Sequence, residues 1–203
     1  MVVTTHKRYT PAEYLQQEEQ AEFKSELIDG EIIPVAGASA NHNRLSLNFC
    51  RLFPLESQGQ SYEVFMSDMR LWLPQFENYT YPDVIVVSNA PQFTDSQQIA
   101  LTNPRLIVEV LSTSTKGYDK SEKFRFYRSI PEFAEYILVD QTEYRVEQYT
   151  KVEPHQWLLT EWSGEEAVVQ LKSVAVKIPL KDLYKRVVFA SASQSDREPT
   201  TTS

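Results

Sequence analysis

The sequence predicts an α/β domain built around one strand–helix–strand unit, with additional β-strands at its C-terminal end. Three observations carry this. The stretch 104–140 (PRLIVEVLSTSTKGYDKSEKFRFYRSIPEFAEYILVD) joins an apolar run at Arg105–Leu111 to a helix pattern over about Tyr118–Ser129 and a second apolar run at Tyr136–Val139. A unit of this kind closes right-handed and sets its two strands parallel. Beyond Asp140 the pattern becomes short strands separated by turn residues. A third run, Val84–Val87 after Pro82-Asp83, supplies another buried strand.

From the N-terminus, Thr10-Pro11-Ala12-Glu13 is a capping box with proline at the first helical position, and it opens a helix through about Gln20. Asp29-Gly30 between Glu26-Leu27-Ile28 and Glu31-Ile32-Ile33 predicts a hairpin. Residues 41–52 predict a helix with His42, Leu45, Phe49 and Leu52 on one stripe, which puts His42 at the core-facing end. Tyr62–Met66 and Asp68–Leu73 are strand-like, and residues 88–104 predict a long connection. Tyr144–Tyr149, Trp157–Trp162, Ala167–Leu171 and Val174–Ile178 predict the C-terminal strands. The expectation is a single domain over residues 1–189, followed by a disordered tail over 190–203 of small and polar residues.

Composition removes several function classes. With five glycines, none two apart, there is no dinucleotide or P-loop phosphate cradle, and no G-x-S-x-G elbow is present. One cysteine and three scattered histidines give no zinc-ligand spacing. No run approaches membrane-spanning length, so no membrane partner is expected, and the N-terminus lacks the apolar core of a signal peptide, which points to the cytoplasm. A formal charge of −8 opposes a large non-specific nucleic-acid surface, though not a local basic groove.

Two residues in the central unit break their local pattern. Glu109 interrupts the apolar run Leu106, Ile107, Val108, Val110, Leu111, and a carboxylate there is costly unless paired, hydrogen-bonded or bound to a cation. On the helix, Lys120, Lys123, Phe124 and Tyr127 share one sector about 100° wide, so two lysines lie on the apolar face. Of the two, Lys120 is expected to be the solvated neighbour. If the strands after Asp83 and around Glu109 are antiparallel neighbours, the two carboxylates converge at one sheet edge. Hard cations such as Mg²⁺ favour such ligands, with one or two carboxylates plus waters. Methionine at position 123 would keep the stem and its packing, so Lys123→Met is expected to leave the fold intact.

The order Glu26 (in ELIDGEI), Asp83 (in YPDVIVV), Glu109 (in PRLIVEVLS) and Lys123 (in DKSEKFRFYRSI) resembles the PD-(D/E)xK restriction-endonuclease-like superfamily. It is more closely similar to the bacterial Uma-type restriction endonuclease family. The stretches YLQQEE, SDMRLWLP and EYILVD, with the helix starting near His42, extend the similarity over roughly residues 9–189. The resemblance implies a restriction-endonuclease-like core, a mixed sheet flanked by helices. It also implies an endonuclease that uses Mg²⁺ or Mn²⁺ to hydrolyse phosphodiester bonds of nucleic acid, DNA in the first place, and works as a homodimer. Asp83 and Glu109, joined by the Val110 carbonyl, would hold the metal, with Glu26 as an accessory acid. The family's lysine would stand two residues after Glu109, where this chain has Leu111; Lys123 on the following helix takes that role instead. The competing expectation is an interaction module that keeps the nuclease fold without its activity.

Overall fold

The computed structural model describes residues 7–112 and 115–189. The tail expected at 190–203 lies outside them. In chain order the elements are α1 (Pro11–Glu18), β1 (Ser25–Ile28), β2 (Glu31–Pro34), α2 (Ala40–Leu52), β3 (Glu56–Ser57), β4 (Gln60–Met66), β5 (Arg70–Leu73), β6 (Asn78–Thr80), β7 (Val84–Ser88), β8 (Ala100–Leu101) and β9 (Leu106–Leu111). There follow α3 (Lys116–Tyr118), a π-helical turn (Asp119–Lys123), α4 (Phe124–Tyr127), β10 (Glu135–Asp140), β11 (Arg145–Glu153), β12 (Gln156–Ser163), β13 (Val168–Gln170), β14 (Lys177–Pro179) and α5 (Leu180–Leu183).

A seven-stranded mixed sheet in the order β12-β11-β10-β9-β7-β4-β3 forms the centre. β9 and β10 are parallel, as the strand–helix–strand unit predicts, and β7 runs antiparallel to β9. Pairing of Val84 with Val108 fixes the register, so Asp83, one step earlier, falls opposite Glu109. Strand alternation then sorts the two faces. Val84, Val86, Val108 and Val110 pack under α2 through Leu45 and Phe49, together with β13, β14 and α5. Ile85, Val87, Ile107 and Leu111 face the other way, toward Phe124, Phe126 and Tyr127. Glu109 shares the parity of Ile107 and Leu111, so it points into this second layer.

A five-stranded sheet, β2-β1-β6-β5-β8, closes that layer. Its Ile28, Leu71, Leu73 and Leu101 join the same core as Ile107 and Leu111. Glu26 has the parity of Ile28, whereas Leu27 packs the opposite face against Tyr14 and Tyr79. The Asp29-Gly30 hairpin is as expected, with φ of 49° and 81° at its two central residues. α1 carries the expected capping box between Thr10 and Glu13.

The structure adds short elements that periodicity does not reveal. β6 contains Asn78, a turn-former by composition, but Asn78 is fully buried and its Oδ1 accepts from the Asp29 N–H at 2.9 Å. β8 has two residues, paired parallel to β5 inside the expected connection. The helix expected over Tyr118–Ser129 begins at Lys116, ends at Tyr127, and contains a π-helical turn.

Candidate active site

Glu109 is 3 % exposed, at the C-terminal end of β9. Its Oε1 accepts from the Tyr127 hydroxyl at 2.8 Å and from the Lys123 ammonium at 3.1 Å. Lys123, 8 % exposed, also lies 3.2 Å from Asp119 Oδ1, within the π-helical turn. That turn is anchored by the Tyr136 hydroxyl, which donates to the Asp119 carbonyl at 3.0 Å. Both lysines reach carboxylates, but different ones. Lys120 pairs with Glu147 on β11, so it is neither a shared-face partner of Lys123 nor the freely solvated neighbour expected from the wheel. π-helical turns are rare and tend to occur at functional sites. Here the turn sends Lys120 and Lys123 to strands on opposite sides of β10.

Asp83 leads into β7, and its Oδ2 accepts from the Val110 N–H at 2.7 Å. The same oxygen lies 3.1 Å from His42 Nε2, at the start of α2. Neither contact uses Oδ1. Glu26 is buried on β1, and its Oε1 accepts from the Tyr81 N–H at 2.9 Å.

The electrostatics follow from four acids around one base. Burial raises the Glu109 carboxyl well above the usual range; Lys123 opposes this, while Asp83 and Asp119 add to it. Burial alone would lower Lys123, but Glu109, Glu26 and Asp119 outweigh it and hold the ammonium charged well beyond its ordinary pKa. The two directions agree, because one ammonium cannot neutralise the surrounding carboxylates and the surplus favours retaining a proton on Glu109.

Asp83, Glu109 and Lys123 are thus brought to one end of the central sheet, and Glu26, on the second sheet, acts on Lys123 through its charge. Asp68 is not part of it: its side chain is 94 % exposed and pairs with Lys24 at 2.8 Å. Asp140 pairs with Lys116 and accepts from Thr142 at the strand end. Sequence reasoning weighed His42 as a core residue, whereas it touches Asp83. It missed Asp119 and the hydrogen-bonding role of Tyr127. An Asp–Lys spacing of four, Asp119 to Lys123, is the signal that marks Asp119.

As a metal centre the donors fit a hard dication that keeps most of its waters, since Asp83 and Glu109 supply two carboxylates. They do not fit an all-protein cage: among the described residues no group of three or more His, Cys, Asp or Glu is gathered to hold a metal. No helix among the described residues is long and apolar enough to cross a membrane.

Comparison with known proteins agrees with this architecture. The family model Uma2, described as "Putative restriction endonuclease", matches residues 11–180. The uncharacterized protein sll1609 of Synechocystis sp. is 59 % identical over 176 residues, covering 87 % of this chain and 99 % of that one. The uncharacterized protein slr1290 of the same organism is 35 % identical over 182 residues, covering 90 % and 94 %. In fold, the chain is similar to the crystal structure of "a putative nuclease belonging to DUF820" from Anabaena variabilis, with TM-score 0.71 and 20 % identity over 88 % of this chain and 99 % of that one. With the family match spanning most of its length, and a mixed sheet with flanking helices of the nuclease type, this chain belongs to the Uma2 restriction endonuclease family.

Proposed function

We propose that the protein is a divalent-metal-dependent endonuclease that hydrolyses phosphodiester bonds, with DNA as its substrate. The observation that carries this reading is the buried Lys123–Glu109 pair at the strand end where Asp83 enters β7. Asp83 and Glu109, with the Val110 carbonyl, would hold Mg²⁺ or Mn²⁺. Bound there, the metal would activate a water and neutralise charge on the phosphate.

The chain's own groups divide the remaining work. Lys123 stays an ammonium, so it acts as a hydrogen-bond donor and not as a base. It orients the attacking water and stabilises the negative charge that grows on the phosphate oxygens. Asp119 and Glu26 keep that ammonium charged, and Tyr127 fixes the rotamer of Glu109. His42 and the Val110 N–H hold Asp83 by one oxygen and leave the other to the site. In the hydrolysis, the water oxygen forms the new bond to phosphorus. The bridging oxygen leaves with its electron pair and takes up a proton from solvent, and the water's own proton returns to solvent. Cutting both strands calls for two such sites, hence a homodimer.

Incubating the purified protein with supercoiled plasmid and Mg²⁺ or Mn²⁺ tests the reading. Nicking or linearisation is expected from the wild type, and loss by orders of magnitude from Asp83→Asn and from Glu109→Gln. A wild type inert on DNA and RNA with both metals would favour the interaction-module reading instead.

A further inference from the structure

The sequence carries eight more acidic than basic charges, yet its cations are not evenly offset. Lys24, Lys116, Lys120, Lys123, Arg125, Arg145 and Lys181 all lie within 4 Å of a carboxylate. Twelve of the described cations form no ion pair with any described residue, and Arg44, Arg51, Lys185 and Arg186 are four of them. These four are also neighbours. Arg44 and Arg51 lie seven apart on α2, hence on one stripe, and α2 contains no acidic residue. The segment 183–188 runs antiparallel beside α2: Asn48 Nδ2 donates to the Leu183 and Lys185 carbonyls, each at 2.9 Å, and Asn41 exchanges hydrogen bonds with Val188. Lys185 and Arg186 are therefore strung along the same helix, and both are exposed, as is Arg51.

The ridge runs along the outer face of α2, on the side away from His42, and its Arg44 end lies level with the candidate site along the helix axis. His42, two residues before Arg44, touches Asp83, and Arg51 follows about 13 Å further along the helix axis at about 1.5 Å per residue. That length covers roughly four phosphate steps of one strand along the duplex axis, at about 3.4 Å each. The strip sets four cations against one carboxylate, Asp182, which lines the same cleft as Arg51 and Lys185. A net-basic strip on an acidic protein selects for a polyanion, and phosphate contacts of this kind position a duplex without reading its sequence.

We infer that the α2 ridge of Arg44, Arg51, Lys185 and Arg186 binds the sugar–phosphate backbone of DNA, with its Arg44 end the one nearest the Asp83–Glu109 end of the sheet. The inference rests on the nuclease reading for its direction, but not for its test.

The experiment is fluorescence anisotropy of a labelled DNA duplex with the full chain in chelator, across a salt series. Arg51→Gln, Lys185→Gln and Arg186→Gln are combined; all three side chains are exposed, and circular dichroism checks that the fold is kept. The triple variant is expected to flatten the slope of log affinity against log salt by up to about 2.7, at about 0.9 per phosphate contact. Lys24→Gln, a cation already offset by Asp68, is expected to leave the slope unchanged. An unaltered slope in the triple variant, binding of RNA alone, or a change of oligomeric state in place of a change in DNA affinity would each overturn the inference. If the wild type binds DNA through the ridge but never cuts it, the nuclease reading fails and the ridge stands. If it cuts and the triple variant cuts with the same KM, the ridge fails and the nuclease reading stands.

Discussion

The ammonium of Lys123 lies 3.1 Å from Glu109 Oε1, and it is the cation that Glu26, Glu109 and Asp119 all act upon. Removing the base and removing one acid therefore have unequal consequences. Lys123→Met leaves buried carboxylates facing one another without a counterion, and breaking a buried pair from one side costs about 3–5 kcal/mol. This revises the expectation from the helix pattern that methionine would be tolerated, which treated position 123 as a stem packed on an apolar stripe. Lys120→Met is the control. Glu147 keeps Arg145 at 3.5 Å, so the loss there should stay within about 1 kcal/mol. Chemical denaturation of both variants checks the contrast, and equal losses would remove the argument.

Glu109→Gln should behave oppositely. The carboxyl of Glu109 is raised in the folded state, so its protonated form is the one the fold favours. The sign follows: this contribution is complete below the unfolded pKa near 4.5 and is lost as pH rises through the raised folded value. Glutamine never ionises and leaves Lys123 with Asp119 and Glu26 as partners. Wild type and variant should match in stability at acid pH, and the variant should gain on the wild type as pH rises. Thermal unfolding in chelator between pH 4 and pH 8, at about unit intervals, measures the gap. A gap that widens in favour of the wild type would refute the surplus-acid account.

Tyr127→Phe isolates the second donor to Glu109. The ring stays packed against Phe133 and Tyr136, while the hydroxyl at 2.8 Å is lost. A buried acceptor deprived of one donor costs about 1–3 kcal/mol. Losing a hydrogen bond to the charged form also pushes the Glu109 carboxyl still higher. Urea unfolding reads the first effect, and carboxyl infrared titration reads the second. No change in either would mean that the hydroxyl contributes nothing.

The readable parts of this chain were those with a period or a turn code. The β9 run, the β7 run after Pro82-Asp83 and the Asp29-Gly30 hairpin all declared themselves. β7 and β9 are the antiparallel neighbours on which the convergence of Asp83 and Glu109 was conditional, though their register came only from the structure. Glu109 and Lys123 were legible because each violated the pattern around it. His42 and Asp119 were not, for different reasons. His42 fits a helix stripe equally well as a core residue, and only the tertiary approach of α2 to Asp83 assigns it. Asp119 lies in a π-helical turn, whose extra residue displaces every position that a 3.6-residue wheel assigns before it. β6 and β8 are too short to show a period, and their pairing is long-range.

The last prediction concerns the metal. Asp83 Oδ2 accepts from the Val110 N–H and lies 3.1 Å from His42 Nε2, which leaves Oδ1 uncommitted by those contacts. A carboxylate held in this way by one oxygen is pre-set to offer the other to a cation. Calorimetric titration of the chelator-treated protein with Mn²⁺ or Mg²⁺ should therefore show one site per chain. Asp83→Asn and Glu109→Gln should each abolish it, since two carboxylates are the charged protein ligands available to a hard dication there. His42→Ala should weaken it by about 10–100-fold, because the imidazole orients Asp83 without touching the ion. Asp68→Asn, on the exposed side chain paired with Lys24, should leave it unchanged. Binding that survives both carboxylate substitutions would move the metal elsewhere, and binding indifferent to His42 would reduce the imidazole to a packing contact.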